Sequence, residues 1–328
     1  MPKICWAGWT GGEMAEVARG ILVIDRDPLM YILGSGTTRD EMAYFMGHGR
    51  RINYFVSFDK FFYDLEQYKV DILIHNTYIF AHGCRPSVYN NDSKNRCITE
   101  QPQWKTVKAV KILHDGESFH QLEVYKQLCV RFDAVITYNP DLKEFCDREK
   151  IPCHLSFVTT PSNLCDPGYT RDIDISFTGT GLNNSYRRVL AQTLNTLPFD
   201  TFCSDGAFEG LQIEDYIKLL NRSKMYLATY SAPGGNLHPM HCKNKDGKAL
   251  LCGALPITEE FAPADDYLLP SVERVVFRNL NQLRDIVEFY AGNEPARVEI
   301  VRAGQKKIRS QFTSEHLFIK AFKAFGVI

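Results

Sequence analysis

Ile4-Cys5-Trp6-Ala7-Gly8-Trp9-Thr10-Gly11-Gly12-Glu13 decides the fold class. Ile4 to Gly8 reads as a short buried strand, Trp9 to Gly12 as a glycine turn, and Glu13 to Arg19 has helical character. Strand, turn and helix in that order open a parallel α/β sheet. The alternation continues with a strand at Asp71–His75 and another at Val107–Leu113, which ends on His114-Asp115-Gly116. A helix follows over Phe119–Arg131, then a strand at Asp133–Thr137 and a helix at Asp141–Lys150. Residues 25 to 60 show no clean period. Residues 80 to 106, with Asn90, Asn91, Asp92 and Ser93, read as a long loop.

Turn formers cluster from Phe157 to Tyr169, with Pro161, Ser162, Asn163, Asp166, Pro167 and Gly168, and mark a domain boundary. Asp172 to Phe177 then opens a second domain as a strand. Thr178-Gly179-Thr180-Gly181 follows, with a helix over Tyr186–Leu197. Lys224–Ala228, Ala254–Ile257 and Val275–Phe277 read as further strands. Helices follow over Leu280–Ala291 and Val298–Gln311, with a last short one from Ser314. The expected division is 1–158, 170–310 and a terminal helix in 311–328.

The 328 residues suit two domains of about 100–200 residues each. With 45% hydrophobic and 23% charged residues, each half can bury a core. Lys plus Arg is 38 and Asp plus Glu is 39, so the net charge of -1 draws neither nucleic acid nor an anionic membrane as a whole. No apolar run approaches the roughly 18 residues of a membrane span. The ten cysteines form no C-x-x-C pair and no secretory signal opens the chain. Reduced thiols in a cytoplasmic protein are therefore expected.

Three segments can carry chemistry. In Phe177–Gly181 with Arg187 and Arg188, a strand feeds a glycine turn and a helix N-terminus. Backbone N–H groups of Thr178, Gly179 and Thr180, the helix dipole and an arginine fork can together hold a phosphate. The competing reading is a tight turn with solvated arginines. In Asn236 to Gly253, His238, Lys243, Lys245, Asp246 and Lys248 precede a buried strand at the place where α/β sheets bind ligands. Their cations can neutralise a diphosphate leaving group. The competing reading is a solvated lysine loop, and His238, His241 and Cys242 do not make a metal site. In His114-Asp115-Gly116-Glu117, a strand-terminal acid can orient or deprotonate a hydroxyl, or simply cap the next helix. His75 and Asn76, also at a strand end, are weaker candidates for contacting an acceptor.

Residues 172 to 318 resemble the CgeB-like branch of the group 1 glycosyltransferases. The resemblance lies in Asp174–Gly179 with Arg187, in Tyr216–Leu227, in Lys248–Thr258, in Val275–Phe277 with Leu280 and Leu283, and in Gln311-Phe312-Thr313. The Ala249-Leu250-Leu251-Cys252-Gly253-Ala254 run is its most specific part. The first half resembles the family only through His114-Asp115 and the Asp133–Thr137 strand.

The resemblance implies a GT-B fold, with two Rossmann-like α/β domains, mainly parallel sheets, a central cleft between them and a last helix returning to the first domain. It implies a nucleotide-sugar donor, UDP-linked in the favoured case, transferred to a hydroxyl of a glycan, protein or modified nucleobase. It further implies no metal or resident cofactor, and retention of configuration. The donor set is Thr178, Gly179, Thr180, Arg187, Arg188, Tyr230, His238, Lys243, Lys245, Asp246, Lys248 and Gly253. The acceptor set is Gly11, Gly12, His75 and Asn76, and the catalytic pair is Asp115 and His114. Where many relatives carry a ribose-binding glutamate, Lys248 stands here, which leaves Asp246 or a different mode of holding the donor. Three alternatives stay open: a catalytically silent binding protein of the same fold, a glycosyltransferase acting on modified DNA bases, and a fucosyltransferase-like enzyme using a GDP-sugar.

Overall fold

The computed structural model describes residues 1–8, 17–32, 52–54, 57–77, 98–115, 122–157, 159–162, 164, 168–178, 185–203, 213–230 and 245–328. It divides into two units, Met1–Ser156 with Ser314–Ile328, and Phe157–Thr313.

In the first unit β1 (Ile4–Gly8) is buried along its whole length, which its apolar run dictates for a strand with neighbours on both sides. β2 (Leu29–Ile32), β3 (Ile52–Tyr54), β4 (Ile72–Thr77), β5 (Val110–Asp115), β6 (Ala134–Thr137) and β7 (Cys153–Leu155) complete a sheet of order β3-β2-β1-β4-β5-β6-β7. Every pairing in it is parallel. This is the Rossmann order extended by one strand, with its switch point between β1 and β4.

Helix α1 (Phe58–Gln67) is capped by Ser57, which accepts from the Lys60 amide. α2 (Leu122–Cys129) and α3 (Pro140–Arg148) lie later in the unit. Asn139 caps α3, with Pro140 in its first turn. The last helix, α9 (Ser314–Ala324), belongs to this unit. Its Phe318 packs edge-on against Trp6 at 6.3 Å and tilts against His114 at the same separation. Phe318 is fully buried, and such a ring contributes about 2 kcal/mol.

The second unit pairs β8 (Ile173–Phe177), β9 (Thr201–Cys203), β10 (Ser223–Ala228), β11 (Leu255–Glu259) and β12 (Val275–Phe277) in the order β12-β11-β10-β8-β9, again all parallel. Counted within the unit this is the 2-1-3-4-5 order, whose switch point lies between β8 and β10. Its helices are α4 (Ser185–Asn195), α5 (Ile213–Arg222), α6 (Lys245–Leu251), α7 (Leu280–Gly292) and α8 (Glu294–Gln311).

Three expectations change. The strand expected from Val107 begins at Val110, because Pro102–Thr106 forms a 3-10 turn that buries Trp104. The described end of the expected 80–106 loop is likewise two 3-10 turns, Ile98–Glu100 and Pro102–Thr106. The solvated loop that is the competing reading of Asn236 to Gly253 becomes helix α6 from Lys245 onward. Among the described residues the cysteines are free thiols, and no helix is long and apolar enough to cross a membrane.

Candidate functional site

The carboxyl edge of the second sheet gathers the charged residues. β8 delivers Thr178 to the switch point, and Lys245, the first residue of α6, donates to the Thr178 carbonyl at 3.1 Å. Tyr226 on β10 meets Thr178 Oγ1 with its hydroxyl at 2.8 Å, and Tyr216 Oη reaches Tyr226 Oη at 3.5 Å. Lys248 is 3% exposed, its Nζ 5.5 Å above the Tyr216 ring. Arg187, in the first turn of α4, is also 3% exposed. Burial pulls its guanidinium below its ordinary pKa, while the Glu259 carboxylate and Tyr226 act in the opposite direction. Cations held in so dry a place act on an anion through a low dielectric.

Asp246 is fully buried and accepts from Tyr230 Oη. Arg274, also fully buried, donates through Nη1 to Tyr230 Oη at 3.1 Å and to Thr258 Oγ1 at 2.8 Å. Its Nη2 reaches Asp265 at 2.5 Å and its Nε the Leu268 carbonyl at 2.8 Å. Through Oδ2 Asp246 thus joins an internal network that anchors α6.

Two expected donor residues are placed otherwise. Arg188 is exposed, one residue round the helix from the buried Arg187. Gly253, expected in the donor set, lies at the opposite end of the sheet, between α6 and the start of β11. Its φ of +83° and the 2.8 Å bonds from Gly253 N to the Leu250 carbonyl and from Ala254 N to the Ala249 carbonyl make it the terminator of α6. A side chain there would overlap Arg171, which donates to the Cys252 and Ser223 carbonyls. Gly179, Thr180, His238 and Lys243 lie outside the described residues, as do Gly11 and Gly12.

In the first unit His75, Asn76, His114 and Asp115 stand at the ends of β4 and β5 by the switch point, each at most 1% exposed. Asn76 Nδ2 meets His114 Nδ1 at 2.8 Å. His114 Nδ1 is then an acceptor, and its Nε2–H donates to Tyr138 Oη at 2.8 Å. Burial pushes the His114 pKa down to about 3. A neutral imidazole fixed at both nitrogens is a support for its neighbours and a poor base. His75 donates to the Ala7 carbonyl at 3.0 Å and stacks on Phe132 at 5.9 Å. Asp115 Oδ2 accepts from Thr137 Oγ1 at 2.6 Å, and that oxygen accepts from the Asn139 amide at 3.0 Å.

Sequence reasoning missed Tyr216, Tyr226, Glu259 and Arg274. Glu259 is an acid ending a strand, the same signal that singled out Asp115. Arg274 carries no local signal, because its partners are 6 to 44 residues away.

Residues 186–322 match a family model described as glycosyl transferase-like. The Anabaena protein HepE, solved with UDP and glucose, superposes with a TM-score of 0.67 at 12% identity, covering 100% of both chains. A glycosyltransferase from Rickettsia africae gives 0.58 at 12% identity, covering 99% of this chain and 98% of that one. Sucrose-phosphate synthase from Thermosynechococcus elongatus gives 0.55 at 10% identity, over 100% and 99%. Comparison with curated proteins finds no relative. The larger part of the second unit thus has glycosyl transferase-like sequence, and the chain has the two-sheet GT-B fold of these glycosyltransferases.

Proposed function

We propose that the protein transfers a sugar from a UDP-sugar to a hydroxyl acceptor, with retention of configuration and without a metal. The observation that carries this is the convergence of Arg187, Lys245 and Lys248 around Thr178 and Tyr226 at the second sheet's switch point. Buried or half-buried cations there suit a diphosphate, and they supply the charge neutralisation that a divalent ion supplies in other transferases. HepE was solved with UDP-glucose, which makes UDP-glucose the first donor to try. The narrower CgeB-like placement rests on the resemblance of residues 172–318.

In this reading the bond from the anomeric carbon to the diphosphate oxygen breaks, and one to the acceptor oxygen forms on the same face. The hydroxyl proton passes to the departing diphosphate. Asp115, held by Thr137, accepts a hydrogen bond from the acceptor hydroxyl and orients it. Asn76 and His114 hold the strand ends that carry it.

The test is release of UDP from a panel of UDP-sugars with EDTA present, followed by NMR of the product anomer. UDP release from one sugar with EDTA present supports the reading. Release only from GDP-sugars moves the base preference, and no release or hydrolysis from any donor leaves a binding protein.

A further inference from the structure

Asp246 and Gly247 are adjacent in α6, and both dock on the segment 265–268. Asp246 does so through Tyr230 and Arg274, whose guanidinium also holds Asp265 and the Leu268 carbonyl. Gly247 does so directly. A Cβ at this position would stand 2.5 Å from Tyr267 Oη, 3.3 Å from Thr160 Cγ2 and 3.6 Å from Ile308 Cδ1. The helix backbone therefore lies flush on Tyr267.

Tyr267 is fully buried, and its ring packs on Phe157 at 5.3 Å and on Phe312 at 5.0 Å. The two phenylalanines meet edge-on at 5.6 Å. Each stands beside a place where the chain passes from one unit to the other, at Ser156–Phe157 and at Thr313–Ser314. Thr160 and Thr313 pair as a parallel bridge behind them. α8, which leads to the second crossing, holds α6 as well: Gln305 Nε2 donates to the Leu250 carbonyl at 2.8 Å. One aromatic ring thus touches the helix bearing Lys245 and Lys248, the residue that opens the second unit after the first crossing, and the residue just before Thr313 at the second.

We propose that Tyr267 is a positioning residue for nucleotide binding, setting the depth of α6 against the two chain crossings. The inference rests on the donor reading above and names how that site is tuned. A nucleotide gripped by Lys245 and Lys248 fixes α6, α6 fixes the Tyr267 ring, and the ring fixes Phe157 and Phe312. By linkage, whatever the crossings do to α6 returns in nucleotide affinity. Close packing makes such a contact transmit displacement.

The experiment uses the full chain and UDP as probe, with calorimetric titration and hydrogen exchange of the Phe157, Thr159, Thr160, Phe312 and Thr313 amides. In the wild type UDP slows exchange at these amides. Gly247→Ala forces α6 off Tyr267, weakens UDP tenfold or more and shrinks the protection. Adding Tyr267→Phe removes the obstructing oxygen and recovers most of both effects. The double variant keeps the test open if Gly247→Ala alone does not fold. A merely structural contact would lower thermal stability in Gly247→Ala and leave UDP affinity per folded molecule unchanged, which overturns the proposal. So does a wild type that binds UDP with no change at the crossings. A wild type that binds no UDP overturns the donor reading and this coupling together.

Discussion

Lys245 and Thr178 are joined by a 3.1 Å bond from the lysine ammonium to the threonine carbonyl, so the start of α6 is tied to the end of β8. The bond places a half-buried cation at the switch point before any ligand arrives. Lys245→Met removes the charge and keeps most of the stem. A lost charge-assisted contact is worth about 1.5–3 kcal/mol, or roughly 10- to 100-fold in affinity. UDP titration should show that weakening in Lys245→Met and a comparable one in Arg187→Ala. Titration curves overlaying the wild type in both variants would remove the donor site from this edge.

Gly253 separates the stability of the second unit from its chemistry. The position needs φ of +83° and no side chain, because Arg171 fills the space. Gly253→Ala is expected to cost more than about 1 kcal/mol in urea unfolding, with UDP affinity of the folded fraction unchanged. Weakened UDP binding at full stability would return Gly253 to the donor set.

Asp115→Ala removes the group proposed to orient the acceptor and leaves the proposed donor site intact. The expected result is turnover lowered about 10- to 100-fold with UDP affinity unchanged, read from UDP release and calorimetry on the same sample. Full transfer activity would make Asp115 a strand-end support that holds Thr137.

Much of this architecture is legible in the sequence where local pattern and burial agree. Ile4–Gly8, Asp133–Thr137 and Val275–Phe277 are short apolar runs that become central or well-covered strands. β2, β3, β7 and β9 escape the reading because three or four residues carry no measurable period and, unlike the equally short β6 and β12, they lack adjacent β-branched residues to mark them. Helix α1 begins inside the 25–60 stretch that shows no clean period, where Phe58, Phe61, Phe62 and Tyr63 put aromatic residues on more than one face. In the site, Arg187, Lys245 and Lys248 stand out by charge. The network of Asp246, Tyr230 and Arg274 does not, since its members meet only through the sheet. Gly253 shows the converse case, in which a residue of the most specific motif terminates a helix, a task its neighbours in sequence do not announce.

The buried histidines give the first unit a pH dependence whose sign is fixed. Burial holds His75 down to about 4, against a smaller opposing effect of its bond to Ala7, and holds His114 down to about 3. In the unfolded chain both return to about 6.5. Between those values the unfolded state binds more protons than the folded one, so stability rises with pH and is lost as pH falls below about 6.5. At pH 5 each histidine has removed about 2 kcal/mol, and the pair about 4 kcal/mol. The three tryptophans, Trp6, Trp9 and Trp104, all belong to Met1–Ser156, so tryptophan fluorescence in urea reports this unit alone. His75→Phe keeps a ring to stack on Phe132 and cannot take up the proton. Its stability should fall about 2 kcal/mol less than the wild type's between pH 6.5 and pH 5, whatever its starting value. Parallel losses in the two proteins would mean that His75 is already open to protons in the folded state.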